Sequence, residues 1–181
     1  GAKHNAGLRA VREEVPETDA VVVVGSDDVV NGAFFEAVGR AVRGGAMVVG
    51  VEDLYVHDLD GGGTWYTGGY VDNAVRNGGA RSIGLGRTYA RAALDAVGWR
   101  LWEDGLEKGL DKSAIARLLA AAPLIAVSAE SLHGASLGIV ALDIKTASLP
   151  GGANIWSFDQ LAAALTPPPA DGAAGAPGAL P

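Results

Sequence analysis

The sequence predicts an α/β fold in which a mixed, mostly parallel sheet is flanked by helices. Helical periodicity and short apolar runs alternate along the first half of the chain, and strand-like segments cluster in the second half. In addition, residues 20–30 contain four consecutive valines. Such a β-branched apolar run is typical of a strand that is buried on both faces in the middle of a parallel sheet.

Turn residues and periodicity define the individual elements in order. The predicted helices are residues 5–15, residues 32–43 with Asn31 as the N-cap and Gly44 and Gly45 as the stop, residues 88–97, a helix beginning at Asp111, and residues 157–165. The predicted strands are the valine run, residues 46–51, a hairpin of residues 53–58 and 64–66, and residues 124–127 and 137–144.

The composition is that of a globular chain, with 181 residues, of which 49% are hydrophobic and 19% charged. We expect one domain over residues 1–165. Residues 166–181 are almost entirely Pro, Ala and Gly, and they are expected to form a disordered tail.

Charge and cysteine content exclude several function classes. The net charge of −7 argues against a nucleic-acid backbone as the main partner, so nucleic acid is expected only as a modified substrate. The absence of cysteine excludes disulfides, thiolate zinc sites and cysteine nucleophiles. No apolar run is long enough to span a bilayer and no signal-peptide pattern is present, so we expect a cytoplasmic location.

Two adjacent carboxylates, Asp27 and Asp28, follow the valine run. Ligands of open α/β sheets bind outside the carboxyl ends of the strands. Hard divalent cations are coordinated by carboxylate oxygens of the protein and, at the same time, by phosphate oxygens of the substrate. The pair is therefore a candidate metal site, and the alternative interpretation is that both residues are polar turn residues leading into the next helix.

Other catalytic motifs are excluded. Residues 84–89 begin like a dinucleotide fingerprint, but Tyr89 stands in place of the third glycine and no clear strand precedes them. The sequence contains no P-loop, no HExxH and no GxSxG elbow, and its three histidines lie far apart.

Asp111 follows an acidic and aromatic segment, residues 99–109. Aromatic rings such as Trp99 and Trp102 can bury the apolar face of a sugar, and a carboxylate beside them can act as a general base. The alternative interpretation is that Asp111 caps a helix and that the tryptophans pack against the domain.

The order of these motifs resembles that of family 2 glycosyltransferases with the GT-A fold, and most of all the versions encoded by bacteriophages. Those enzymes carry an asparagine–glycine helix start, a strand with a DxD-type motif, and later a glycine-rich segment and an acidic base motif. The matching segments are residues 3–8, 25–28, 83–94, 101–111, 143–145 and 154–156.

The resemblance implies a metal-dependent enzyme that moves a sugar from a nucleotide sugar, expected to be a UDP-sugar, to a hydroxyl acceptor with inversion. It implies Mn²⁺ or Mg²⁺ on Asp27 and Asp28 and a general base at Asp111, with Asp104 as the rival assignment. A phage-encoded enzyme would act in the host cytoplasm. The implied contact residues are Asn5 and Ser26 for the donor and Gly84, Gly86, Trp99 and Trp102 for the acceptor.

The chain departs from the family pattern in three places. Gly25 replaces the first acid of the DxD motif, so Asp27 is expected to lie closest to the metal. The Glu-Asp base motif is replaced by Leu110-Asp111, or else corresponds to Glu103-Asp104. The family's first strands, which hold the uracil and ribose, would lie before Lys3, so we expect the nucleotide-binding half to be incomplete.

Two other functions stay open. The first is a catalytically inert GT-A fragment or binding module, which the missing first strands would explain. The second is a metal-dependent phosphoryl enzyme in which Glu52 and Asp53 join Asp27 and Asp28.

Overall fold

The computed structural model describes residues 1–68, 82–121 and 128–146. The helices of this part of the chain are α1 (Ala2–Glu14), α2 (Gly32–Arg43), α3 (Arg91–Ala96), α4 (Leu110–Ala121) and α5 (Gly134–Leu137). Its strands are β1 (Ala20–Val23), β2 (Asp28–Val30), β3 (Val48–Val51), β4 (Leu54–Asp58), β5 (Thr64–Thr67), β6 (Arg87–Ala90), β7 (Ala129–Leu132) and β8 (Ala141–Lys145).

These strands form two mixed sheets with the orders β1-β6-β3-β7 and β2-β8-β4-β5. In the first sheet β6 runs antiparallel to β1 and to β3, whereas β3 and β7 are parallel. In the second sheet β8 is parallel to β4, and the two outer pairings are antiparallel. The α/β class is therefore confirmed, but the expectation of a mostly parallel sheet is wrong for the described strands, because most of their pairings are antiparallel.

Two apolar cores lie on opposite faces of the first sheet, and β3 contributes to both. Alternate side chains of a strand point to opposite faces, so Val48 lies in one core and Val49 and Val51 lie in the other. The first core joins α2 to both sheets and includes Phe34, Val38, Leu54, Val56, Leu132 and Ile139. The second core is covered by α1, α3 and α4 and includes Leu8, Tyr89, Leu94, Trp99, Leu101 and Leu118.

The valine strand β1 lies at an edge of the first sheet as described, and its residues are only partly buried. Its predicted central position is therefore wrong for this part of the structure. Val22 packs against one core and Val21 and Val23 against the other. The valine run is apolar because both faces of β1 pack against a core, which is possible for an edge strand as well as for a central one. The run therefore does not indicate which strands lie beside β1.

Helix α2 and the β4–β5 hairpin are confirmed. The Asn31 side chain accepts a hydrogen bond from the Phe34 backbone N–H at 3.3 Å, as an N-cap does. Gly45 follows the helix with a φ of 98°, a conformation that glycine adopts without strain. In the hairpin, β4 and β5 pair antiparallel, with Val56 opposite Trp65.

Three local predictions are wrong. Residues 88–90 belong to β6 and not to a helix, because they pair with strands on both sides. The predicted strand over residues 137–144 begins only at Ala141, after the short helix α5. The sequence predicts no strand between residues 127 and 137, but residues 129–132 form β7. The predicted strand 124–127, the predicted helix 157–165, the boundary at residue 165 and the tail 166–181 lie outside the described residues.

Candidate functional site

The carboxyl ends of β1, β3 and β7 meet at one end of the first sheet, called here the carboxyl edge. This follows from the pairings, since β1 and β3 are both antiparallel to β6 and β7 is parallel to β3. The turn of residues 25–28 follows β1, Asp53 follows β3, and His133 follows β7. The start of β6 lies at the same end, with Arg87 opposite Val23.

Three carboxylates and one lysine lie close together beside the turn that follows β1: Asp27, Asp28, Asp143 and Lys145. This group is called the acidic cluster. Asp28 opens β2 directly opposite Asp143 of β8. The Lys145 ammonium lies 2.7 Å from Asp143 Oδ1 and 3.9 Å from Asp27 Oδ2. Asp28 instead accepts a hydrogen bond at 2.8 Å from the Gly25 backbone N–H.

Burial and mutual repulsion disfavour the charged forms of two of these acids. Burial raises the pKa of Asp28 to about 6; the Gly25 hydrogen bond opposes this rise, and the charges of Asp143 and Asp27 add to it. Burial also raises the pKa of Asp143, against the hydrogen bond from Lys145. The cluster contains one ammonium group, that of Lys145, and three carboxyl groups, so its acidic groups outnumber its basic ones.

The chemistry of this cluster fits a hard divalent cation. Carboxylate oxygens suit Mg²⁺ and Mn²⁺, and Mg²⁺ is commonly held by one or two carboxylates together with substrate phosphates. Within residues 1–68, 82–121 and 128–146, no group of three or more acidic or histidine side chains is arranged to hold a metal ion. A cation on Asp27 and Asp28 would therefore depend on oxygens supplied by a substrate.

Gly25 leaves room for the carboxylates of Asp27 and Asp28. A Cβ at this position would lie 2.6 Å from Asp28 Oδ2 and 2.9 Å from Asp27 Oδ1. Any side chain there, an aspartate included, would collide with the two carboxylates in their present positions. Ser26, the expected donor contact, is exposed in the same turn.

Asp111 reaches the carboxyl edge through Arg87. It lies in the first turn of α4, one residue inside the helix and not at its N-cap. Its Oδ1 lies 3.3 Å from Arg87 Nη1, and the side chains are 53% and 2% exposed respectively. Arg87 also donates a hydrogen bond at 2.6 Å to the Ser82 carbonyl. A buried guanidinium therefore forms an ion pair with a carboxylate that solvent can reach.

Both predicted acceptor glycines make close backbone contacts. A Cβ on Gly84 would lie 2.4 Å from Asp111 Oδ2, so glycine lets the carboxylate approach the chain. Gly86 has a φ of 67°, and a Cβ there would lie 2.8 Å from the Phe34 ring. The structure thus brings Asp111 and Gly84 together, whereas Gly86 packs against the core.

The tryptophans are in the core and do not form a platform. Trp99 and Trp102 are 1% and 3% exposed. Trp99 donates a hydrogen bond at 2.7 Å to Asp95 Oδ1, and Trp102 packs edge-on against Tyr89. The expectation that their faces stack a sugar is therefore wrong, and packing against the domain is the interpretation that holds.

Asn5 is fully buried and links α1 to the loop before α4. Its Nδ2 donates to the Trp102 carbonyl at 2.7 Å and to Asp104 Oδ1 at 2.8 Å, and its Oδ1 accepts from the Trp102 N–H at 3.2 Å. This side chain has no surface to offer a donor, which corrects the expected donor contact. Asp104 is also engaged, since its other oxygen accepts from Arg100 at 2.7 Å. The Asn5 hydrogen bond, and secondarily the Arg100 charge, lower the pKa of Asp104.

Replacing Asn5 with alanine is expected to lower the free energy of unfolding by about 3 kcal/mol, because it leaves a buried N–H and a buried carbonyl of Trp102 unpaired. Urea unfolding of the two proteins measures the difference. The control is the exposed Glu13→Ala variant on the same helix, which should change the free energy of unfolding by less than about 0.5 kcal/mol. A loss below about 1 kcal/mol would show that the link contributes little.

Asp53 is a buried cap and not an exposed ligand. Its carboxylate accepts hydrogen bonds from the backbone N–H of Gly134, from that of Ala135 at 2.9 Å and from the Tyr66 hydroxyl at 2.8 Å. Only 3% of the residue is exposed. The hypothesis of a metal-dependent phosphoryl enzyme needs Asp53 and the half-buried Glu52 as metal ligands. Because Asp53 is buried and hydrogen-bonded, that hypothesis loses one of its four proposed carboxylates.

Three residues were missed as site candidates in the sequence: Arg87 at the carboxyl edge, and Asp143 and Lys145 in the acidic cluster. Asp143 and Lys145 are two apart on a strand and so share a face, a signal that the sequence does contain. Arg87 carried no such signal, because its burial depends on pairing with both neighbouring strands.

Comparison of the chain with protein-family models and with curated proteins gives no match. Across the described parts of the chain, no helix has the length and apolarity needed to cross a membrane.

Proposed function

We propose that this chain is a metal-dependent glycosyltransferase that moves a sugar from a nucleotide sugar, a UDP-sugar, to a hydroxyl acceptor with inversion. One observation carries the proposal. The β1–β6 register places Val23 opposite Arg87, so the turn of Asp27 and the carboxylate of Asp111 belong to the same end of the sheet. Asp27 and Asp111 are far apart in sequence, and the pairing of β1 with β6 supports the proposal because it brings their two segments to the same end of the sheet.

The donor half of the proposed site is the turn after β1. Asp27 and Asp28 would hold Mn²⁺ or Mg²⁺, and the cation would supply positive charge to the diphosphate as it leaves. The shortage of positive charge in the acidic cluster favours this role. The exposed Ser26 hydroxyl is available to the donor, and Asn5 is assigned no part in binding it.

The acceptor half is built on Asp111. The acceptor oxygen forms a bond to the anomeric carbon while the bond from that carbon to the diphosphate breaks, and Asp111 takes the hydroxyl proton. Attack from the face opposite the leaving diphosphate inverts the anomeric carbon. Arg87 forms an ion pair with Oδ1 of Asp111 and leaves the carboxylate exposed to the acceptor. Asp104 is the weaker candidate, because both of its oxygens are engaged.

The test is calorimetric titration of UDP in the presence of Mn²⁺ against the wild-type chain, Asp27→Ala and the control Glu36→Ala, which removes an exposed acid of α2. We expect wild type and Glu36→Ala to bind equally. Asp27→Ala should bind at least about tenfold more weakly, since it loses a charged ligand of the cation. Equal binding by Asp27→Ala and wild type would remove Asp27 from the site.

The inert-fragment alternative differs from this proposal in turnover alone. Release of sugar or transfer from a UDP-sugar by the wild-type chain, lost in Asp111→Asn, would support the enzyme. Binding of UDP and Mn²⁺ with no turnover would support a binding module.

A further inference from the structure

Lys145 is buried within the acidic cluster. It shares one face of β8 with Asp143, and its ammonium contacts Asp143 at 2.7 Å and Asp27 at 3.9 Å. The residue is only 7% exposed. A buried ammonium is stable only beside negative charge, so these carboxylates are the reason that Lys145 can point inward.

The ammonium occupies part of the environment that a divalent cation would need. Asp27 is the residue that the proposed function assigns to the metal, and among the ion pairs of the described residues Lys145 is the one cation paired with it. A divalent cation arriving alone would meet repulsion from Lys145. A diphosphate arriving with the cation would give the ammonium a further anionic partner, because lysine pairs well with phosphate oxygens.

We propose that Lys145 is the resident counter-ion of the acidic cluster and couples the binding of the divalent cation to that of the donor diphosphate. This inference rests on the proposed function. Lys145 weakens the binding of the cation to the empty protein, and it contacts the diphosphate once the nucleotide is bound. Metal and nucleotide therefore bind cooperatively, and each raises the affinity for the other by the same factor.

The test measures Mn²⁺ binding, without any turnover, in the full chain with and without UDP. Free Mn²⁺ is followed by electron paramagnetic resonance and corrected for the Mn²⁺–UDP complex formed in buffer. For wild type we expect UDP to raise Mn²⁺ affinity at least about tenfold. Lys145→Met should bind Mn²⁺ alone at least about fivefold more tightly than wild type, and UDP should then add less.

Two controls separate charge from shape. Lys145→Arg keeps the cation, so its binding of Mn²⁺ alone should stay as weak as in wild type. Lys112→Met removes an exposed lysine of α4 and should change nothing. Lys145→Gln replaces the methionine variant if that variant fails to fold.

The outcomes distinguish this inference from the function on which it rests. If the neutral variants bind Mn²⁺ no more tightly than wild type while UDP still promotes binding, Lys145 is not the counter-ion and the proposed function stands. If UDP leaves the Mn²⁺ affinity of wild type unchanged, the coupling is wrong whatever the variants do. If Mn²⁺ binds neither to wild type nor to the neutral Lys145 variant, with or without UDP, both proposals fail.

Discussion

Replacing Asp53 with alanine is expected to lower the free energy of unfolding by about 4 kcal/mol, because hydrogen bonds to a charged group contribute about 1.5–3 kcal/mol each and buried donors would be left without an acceptor. The carboxylate receives two backbone N–H groups at the start of α5 and the Tyr66 hydroxyl. It thereby joins the end of β3 to the segment after β7 and to β5. Urea unfolding at neutral pH measures the loss.

Two variants identify the source of this loss. Tyr66→Phe removes one of the three donors and keeps the cap of α5, so it should cost about 1 kcal/mol. Glu52→Ala alters the neighbouring, more exposed carboxylate and should cost less than about 0.5 kcal/mol. A loss in Asp53→Ala no larger than in Glu52→Ala would contradict the capping role and return Asp53 to the candidates for a ligand.

Asp28→Asn is expected to stabilise the protein at neutral pH. In the fold, burial raises the pKa of Asp28 from its ordinary value of 3.8 to about 6. Between these values the folded chain binds more protons at Asp28 than the unfolded chain, so the contribution of Asp28 to stability is highest at low pH and falls as pH rises through this window. Asp143 acts in the same direction, because its pKa is also raised.

The size of the effect follows from the pKa difference. It corresponds to at most about 3 kcal/mol, and solvent screening of a half-buried carboxylate reduces this to about 1.5 kcal/mol. Asp28→Asn should gain that amount at about pH 7 and lose most of its advantage at about pH 4. Urea unfolding across this range measures both curves. Parallel curves for wild type and Asp28→Asn would contradict the prediction.

Local patterns predicted the parts of the fold that depend on neighbouring residues. The Asn31 cap, the glycine stop of α2 and the hairpin of β4 and β5 each need a few adjacent side chains, and each is present. The position of β1 and the strand character of residues 88–90 depend on which distant strands pair with them. A periodicity carries no such information.

The same difference between local patterns and distant pairing applies to the residues of the candidate site. Asp27 and Asp28 are predicted because two adjacent carboxylates follow a strand, and Asp111 is predicted because it follows an acidic and aromatic segment. The tryptophans were assigned to a platform because an aromatic ring that packs in a core and one that stacks on a sugar look alike in sequence. Asp143 and Lys145 join Asp27 only through the pairing of β2 with β8, which brings together residues from opposite ends of the described chain.

The antiparallel strand β6 lies between β1 and β3, and this has a consequence for how the protein folds during synthesis. Residues 20–51 emerge first, but β1 and β3 have no bonds to each other and wait for residues 87–90 to fill the space between them. The same four residues carry Arg87, the partner of Asp111. Insertion of β6 therefore joins β1 to β3 and places the guanidinium in one event, and because the contacts are distant in sequence this event should be slow.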